Sequence, residues 1–383
     1  MSSSISNVMK TIINTILFSL FLYQGMAQKI AIPDHKFEEA LVKIGIDSEL
    51  DGFLNIDKAK AVDSLELSTR MISDLTGIEA FTELKYLSCG QNYIKKIDLS
   101  KNTKLRHLSC GNSIDFMYEF GDDFEDYRFN EDLGNQLTEL DLSNNVELEV
   151  VKVDFSKLRF LDLQNNKKLI YLSVSSNKLS KLNIDGNKKL EILHAEYNEL
   201  KKLNLQNNLN IKIIGLANNQ LSAIDIKKNK QLKELDLSHN KLKEIDVTNN
   251  ALLEYLSCSN NQLQEIDVQY NFALYGLYCD FNRLTSLTLN NSSVSNFDCS
   301  NNLLTFLDVG GADNLGDLNC SNNKLVDLIF RDQEIIRIDC SNNLLESLDV
   351  WHMNFFTKLK CDGNLFDCEV LRAEFEIYEF DAK

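Results

Sequence analysis

From residue 84 onward the apolar residues of this chain recur on a cycle of 21, shortened to 20 in the rows that open at Leu274 and Leu315 and interrupted once in the row that opens at Leu105. Rows that open at Leu84, Leu105, Leu148, Leu169, Leu190, Ile211, Leu232, Leu253, Leu274, Val294, Leu315, Ile335 and Phe356 bring the columns into line. A looser row opens at Val62, which makes fourteen coils. The stretch 253–273, LEYLSCSNNQLQEIDVQYNFA, shows the cycle without a break, with apolar residues at positions 1, 4, 6, 11, 14 and 16. Positions 4 and 6 point to one side and 3, 5 and 7 to the other, which is the alternation of a strand. Coils of constant length stack such strands into a parallel sheet with a buried inner face. The predicted fold is a repeat solenoid with that sheet on its concave face and short second strands or irregular turns on the other side.

Two polar columns run through this apolar frame. Position 9 is Asn in eleven of the thirteen rows from Leu84 onward, with Ser113 and Ser156 as exceptions. A polar residue that recurs among buried neighbours must satisfy backbone groups, because unpaired buried amides are costly, so an asparagine ladder is expected. A second Asn column, at position 19, runs through Asn102, Asn145, Asn166, Asn187, Asn208, Asn229, Asn250 and Asn271 and then stops. The last third of the solenoid is therefore expected to turn differently on its second side. Asp recurs at position 15, in Asp98, Asp141, Asp162, Asp225, Asp246, Asp267, Asp308 and Asp349. We read these as outward residues, solvated or bonded to nearby amides and lysines, rather than a cation site.

Eight of the nine cysteines, Cys89, Cys110, Cys258, Cys279, Cys299, Cys320, Cys340 and Cys361, fall at position 6, where other rows carry Leu, Val or Ala. The thiol stands in for a small hydrophobe, and no C-x-x-C spacing suggests zinc. Free buried thiols are expected, with Cys361 and Cys368 the pair best placed to bridge.

The motif L-x-x-L-x-[C/L/V]-x-x-N-x-L-x-x-L-D-[L/V]-x-x-N-x-x resembles the leucine-rich repeat, specifically its 21-residue bacterial IRREKO type, over about four fifths of the chain. The resemblance implies a right-handed coil and protein recognition by its concave face. Residues 32–46 and 73–81 are similar to the N-terminal region of exported leucine-rich-repeat proteins of Bacteroidetes. The chain ends without the C-terminal sorting module many of those carry, so attachment to a surface by that route is not expected.

The ends differ from the repeats. Residues 1–27 hold Lys10, an apolar run of thirteen residues, and small residues at Gly25 and Ala27, the pattern of a signal peptide cut after Ala27. The run is shorter than the roughly 20 residues needed to cross a bilayer, and no later segment is apolar enough, so the mature chain is expected outside the cytoplasm: periplasmic, cell-surface or secreted. Residues 28–61 form an N-terminal cap, since Phe37, Ala40, Leu41 and Ile44 have helical spacing. The solenoid spans 62–366, and 367–383 forms a C-terminal cap of undecided structure.

Two segments carry candidate chemistry outside the repeats. Residues 47–58 match an EF-hand calcium loop in part: Asp47, Glu49, Asp51 and Gly52 fit and Asp57 could substitute. Lys58, however, stands where the bidentate Glu belongs. Calcium or a plain acidic turn are the alternatives, and no other cofactor is expected. Residues 114–136 interrupt the row that begins at Leu105, with eight acids, one base and six aromatics. The rings either fold against the solenoid's own flank or meet a basic or glycan partner.

With 57 acidic against 40 basic residues the net charge is -17, a poor balance for nucleic acid, whose binding runs on clustered Lys and Arg. No nucleophile elbow, phosphate loop or H-E-x-x-H motif is present, and no acid, base and nucleophile converge, so no enzyme is expected. The outward strand positions carry Tyr86, His107, Tyr171, His194, Tyr255 and Tyr278, followed by Asp280, Asp298, Asp317 and Asp339. Tyr supplies large contact area at low entropic cost, although each Tyr could equally stack across strands without a ligand. The expectation is a monomeric, exported binding module for protein. A glycan-binding envelope protein and a ligandless spacer are the alternatives.

Overall fold

The computed structural model describes residues 29–112, 134–287, 289, 293–331, 333, 335–350 and 358–374. The chain divides into two compact units, residues 1–147 and 148–383. The expected signal peptide, nearly all of the acidic insertion and the last nine residues lie outside the described part.

The first unit opens with the cap. Strand β1 (Lys29–Ala31) pairs antiparallel with β2 (Phe53–Asn55), and between them runs helix α1 (His35–Lys43). The expected amphipathic spacing holds for Phe37, Ala40 and Leu41, which are buried, with Phe37 and Leu41 wholly inaccessible, whereas Ile44 follows the helix end and is exposed. Asp34 caps the helix by accepting the Lys36 and Phe37 amides. Its other oxygen accepts the Ser73 amide, the Ser73 hydroxyl and the Asp74 amide, so one carboxylate ties the cap to the segment behind the first coil. The β1–β2 pair and helix α2 (Ile56–Lys60) are not anticipated by the calcium-loop reading of this stretch. Three coil strands follow, β3 (Ser64–Glu66), β4 (Tyr86–Ser88) and β5 (His107–Ser109), parallel and in register row on row.

The second unit repeats the coil: β6 (Val150–Lys152), β7 (Tyr171–Ser173), β8 (Ile192–His194), β9 (Ile213–Gly215), β10 (Glu234–Asp236), β11 (Tyr255–Ser257), β12 (Gly276–Tyr278), β13 (Asn296–Asp298), β14 (Phe306–Asp308), β15 (Asp317–Asn319), β16 (Asp327–Ile329), β17 (Arg337–Asp339) and β18 (Lys358–Lys360), then helix α3 (Cys368–Glu374). All but β14 and β16 belong to one parallel sheet, and each of its strands occupies positions 3 to 5 of its row. Register follows the repeat, as in Glu234 opposite Tyr255 and Tyr255 opposite Gly276. The core is the periodic set: in one row Leu232, Leu235, Leu237, Leu242 and Val247 are all fully buried. The expected solenoid of stacked parallel coils is therefore the fold.

The position-9 ladder closes the turns. Asn240 donates to the carbonyls of Leu216 (2.9 Å), Leu237 (3.0 Å) and Ser238 (3.2 Å) and accepts the Leu221 amide (2.9 Å). One carboxamide thus links a row to its predecessor through both ends of its dipole, and the same pattern recurs at Asn198, Asn219, Asn261 and Asn282. In the row that begins at Leu105 the structure corrects the sequence reading. Asn135, not Ser113, holds the ladder position, donating to Cys89 and Cys110 carbonyls and accepting the Ile94 amide. Gln136 continues the coil by donating its amide to the Ile94 carbonyl. The insertion therefore lies between Asn112 and Asn135, starting one residue earlier than the expected 114–136, because only a carboxamide can serve all three backbone groups.

The second Asn column donates twice per residue, as Asn208 does to Ile184 (3.0 Å) and Asn187 (2.9 Å) carbonyls. Where it ends, the second side changes as expected: β14 and β16 pair there in parallel. In place of Asn, Gln333 reaches the Val309 carbonyl and accepts the Arg331 amide. Seven of the position-15 aspartates, from Asp98 to Asp308, accept an amide two residues on, as in Asp98 to Ser100, Asp162 to Gln164 and Asp267 to Gln269, which is the bland role expected of them. Cys89, Cys110, Cys258, Cys279, Cys299, Cys320 and Cys340 are free and buried, and Cys361 is bonded to Cys368, whose Cα lies 5.5 Å away. Burial pushes the Cys340 thiol up to about 12, and Cys279, Cys299 and Cys320 also rise well above the ordinary thiol range for the same reason.

Candidate functional site

The outward positions of each strand place the expected ring residues beside one another on adjacent coils. In the first unit Tyr86 stacks on His107 with ring centres 4.6 Å apart. In the second unit Tyr171 meets His194 at 5.9 Å, and Tyr255 meets Tyr278 at 5.4 Å. Gly276 makes the last pair possible: a Cβ there would stand 3.1 Å from the Tyr255 ring and 3.4 Å from that of Tyr278. Each expected Tyr is thus engaged across strands, which stabilises the sheet and fixes the rings in place for any ligand.

Around Tyr171 lies a polar network that single-residue reading does not reveal. Asp154 accepts the Ser173 hydroxyl (2.6 Å) and the Ser175 amide (2.7 Å). Glu196 accepts the Ser175 hydroxyl and faces His194 Nδ1 at 3.1 Å. Lys152 sits over the Tyr171 ring, 5.1 Å from its centre. Burial raises the Asp154 carboxyl despite its hydrogen bonds. Burial also pushes Glu196 upward, yet the His194 contact and the Ser175 hydroxyl outweigh it and leave Glu196 below its ordinary range. His194 is raised, chiefly by its hydrogen bond to Glu196. Although Ser, His and Glu are together, both Ser175 and His194 Nδ1 converge on the carboxylate. The hydroxyl donates its hydrogen bond to the acid rather than to the imidazole, which is not how a nucleophilic serine is activated.

Toward the end of the second unit the outward residues border a shallow hollow of about 330 Å³. Tyr278 and Asn296 stand on one side, Asp298, Asp317 and Asn319 beneath, and Arg337, Asp339, Lys358 and Lys360 on the other. The sequence reading expected an acidic half here, and the structure shows mixed charge instead. Arg337 clasps Asp317 through two nitrogens, one of them Nη2 at 2.9 Å, and Asn319 donates to Asp298 at 2.9 Å. Asp280 accepts the Ser259 hydroxyl, and burial raises its carboxyl. Asp339 accepts from Ser341. Arg337, Lys358 and Lys360 are the site residues that sequence reasoning missed. Their signal was present in the rows, since Asp317 and Arg337 share position 3 on neighbouring strands, but it becomes visible only when columns are read across coils.

The carboxylates of the candidate calcium loop do not gather. Asp51 pairs with Lys29 at 2.5 Å and accepts the Phe53 amide, while Asp47 accepts the Ser48 amide. Asp57 opens α2 with Lys58 beside it, and Glu49 lies in the turn before β2. Among the described residues no group of three or more His, Cys, Asp or Glu stands together so as to hold a metal ion. No helix among them is long and apolar enough to cross a membrane.

No known family profile matches the chain, and no curated protein sequence matches it. Solved structures do. The functional domain of InlJ from Listeria monocytogenes, described as including a cysteine ladder, is 25% identical with a TM-score of 0.58, over 83% of this chain and 77% of that one. A leucine-rich-repeat protein from Leptospira interrogans is 19% identical with a TM-score of 0.61, over 85% and 96%. An internalin, inlF, from Listeria monocytogenes is 21% identical with a TM-score of 0.56, over 79% and 97%. The fold is that of the leucine-rich repeat, as the motif implies.

Proposed function

We propose that this leucine-rich-repeat chain is an exported binding module, not an enzyme, that recognises a protein partner through the outward face of its second-unit sheet. The observation that carries this reading is the hollow beside Tyr278, where fixed tyrosine rings adjoin a bidentate Arg337–Asp317 pair and two lysines, Lys358 and Lys360, that make no ion pair among the described residues. Rigid aromatics flanked by both signs of charge suit a polypeptide, which offers apolar, cationic and anionic groups together. Export rests on the signal-like pattern of residues 1–27, and the 21-residue IRREKO type and the likeness to Bacteroidetes proteins rest on the repeat motif. The protein is taken to act as a monomer without a cofactor.

The test is capture from envelope and host-surface extracts by the mature protein beside Tyr255→Ala/Tyr278→Ala and Arg337→Ala, each matched to wild type by circular dichroism. A protein retained by wild type and lost by both variants supports the reading. Retention of glycan alone, lost with the tyrosines but not with Arg337, turns the site into a carbohydrate surface. Retention of nothing leaves a spacer.

A further inference from the structure

Position 8, the residue just past each outward strand segment, has a left-handed backbone in every described row of the second unit. Asn is the residue that tolerates this conformation, and the column is Asn at 218, 260, 301, 322 and 342. Four rows break that choice with rings: Phe155 (φ 52°), Tyr197 (φ 53°), His239 (φ 53°) and Phe281 (φ 51°). They fall in alternate coils, 42 residues apart, and the coils between carry Ser176, Asn218 and Asn260. Bulky side chains at positive φ are unfavourable and persist at functional positions. Tyr197 is 60% exposed and Phe281 53%, and His239 is exposed too, whereas Phe155 is half-buried, so packing within the fold does not explain the three exposed rings.

The rings form a ruler. Each position-8 amide donates to a position-7 carbonyl of the next coil, as Tyr197 does to Ala217 and His239 to Ser259, both at 2.9 Å, so the column keeps the sheet's spacing. Two coils of about 4.8 Å put successive rings about 9.6 Å apart. A polyproline II helix, with three residues per turn and about 3.1 Å per residue, presents one face every ~9.3 Å. Over the three intervals from Phe155 to Phe281 the mismatch is only about 1 Å by those spacings. An extended strand repeats a face every ~6.7 Å and drifts out of step at once. A helix meets the ruler poorly too, at about 10.8 Å per two turns. Charge follows the same alternation: Asp154, Glu196 and Asp280 immediately precede three of the four rings, while the intervening coils have Ser175, Ala217 and Ser259 there.

We propose that the exposed rings of this column, Tyr197, His239 and Phe281, dock a cationic, proline-rich segment in polyproline II conformation, one turn per ring, beside the sheet face and independent of the hollow at Arg337. Proline-rich ligands dock on aromatic-lined grooves elsewhere because their conformation is set before binding.

The probe is a peptide of repeating Lys-Pro-Pro, about ten residues or longer so that it spans the three exposed rings at ~3.1 Å per residue. A Lys-Gly-Ser repeat of equal length and charge is the control. Saturable binding of the first and not the second is expected, with a loss of about tenfold or more in Tyr197→Asn/Phe281→Asn. Asn already occupies this position in neighbouring coils, so the variant keeps the fold. Equal binding of both peptides, no saturable binding, or no loss in the variant overturns the proposal. Loss in Tyr255→Ala/Tyr278→Ala instead moves the peptide to the sheet face, which sinks this proposal and leaves the preceding one standing. Binding of a β-linked hexasaccharide that the ring variant weakens, without peptide binding, assigns the column to carbohydrate and overturns it as well.

Discussion

At the scale of single residues the fold rests on two columns of carboxamides, of which the position-9 members use both the amide and the oxygen on backbone partners. Asn240→Ala removes one acceptor and up to three donated bonds from a buried turn, and a loss of about 1 to 3 kcal/mol is expected. Chemical denaturation beside wild type checks it, and unchanged stability would refute the ladder. His194 provides a pH test. Its pKa is raised above the ordinary 6.5 by Glu196, so the stabilisation it lends is complete below about 6.5 and is lost as pH climbs through the raised value. Glu196, held low, contributes above its ordinary 4.5 and loses that as pH falls through its lowered value. Melting temperature against pH should therefore decline above neutrality in wild type more than in His194→Gln; a steeper decline in the variant would contradict the pairing. Tyr197→Asn relieves a left-handed tyrosine and should leave stability equal or higher by about 1 kcal/mol. The ladders were legible from recurrence alone, because a column of one polar residue among buried positions has few explanations. The Asp154–Glu196 network was not, since its members belong to three rows and each looks ordinary in its own.

At the scale of elements the cap shows where sequence reading stops. Helical spacing marked α1, but β1 and β2 are three residues each and pair across the helix, too short for alternation to announce them. Asp34 does the joining, and hydrogen bonds to Ser73, Asp74 and Phe37 amides hold it below the usual carboxylate range although burial acts the other way. Asp34→Ala is expected to cost about 2 kcal/mol, from a lost helix cap and charge-assisted bonds. The wild-type advantage is present above the ordinary value of 3.8 and disappears as pH falls through the lowered one. Equal stability of variant and wild type at neutral pH would show that α1 holds without it. The thiol column makes a separate prediction: seven thiols react with an alkylating reagent only after unfolding, and reduction adds Cys361 and Cys368. Rapid labelling of the native protein would mean that the column is not core. That Cys361 and Cys368 could bridge was readable from their spacing. That Asn135 resumes the coil was hidden because the insertion interrupts the count that the other rows share.

At the scale of the whole chain, a solenoid is stabilised by each row and its contact with the next, and within the second unit the rows are nearly interchangeable. Removing residues 211–231, one complete row, joins positions that already match: Asn198 and Asn240 would stand as consecutive ladder members, and Asn208 and Asn250 likewise. The shortened protein should fold and retain cooperative unfolding, and failure to fold would show that rows are less equivalent than their hydrogen bonds suggest. The alternate rings are not indifferent to that deletion. It would bring Tyr197 and His239 onto adjacent coils, about 4.8 Å apart instead of ~9.6 Å. The smallest edit that preserves both the ladders and the ring spacing is a pair of rows, 42 residues. If the chain grew by duplication under selection for those rings, its heritable unit was the double coil, and lineages that gain or lose length should do so in twos.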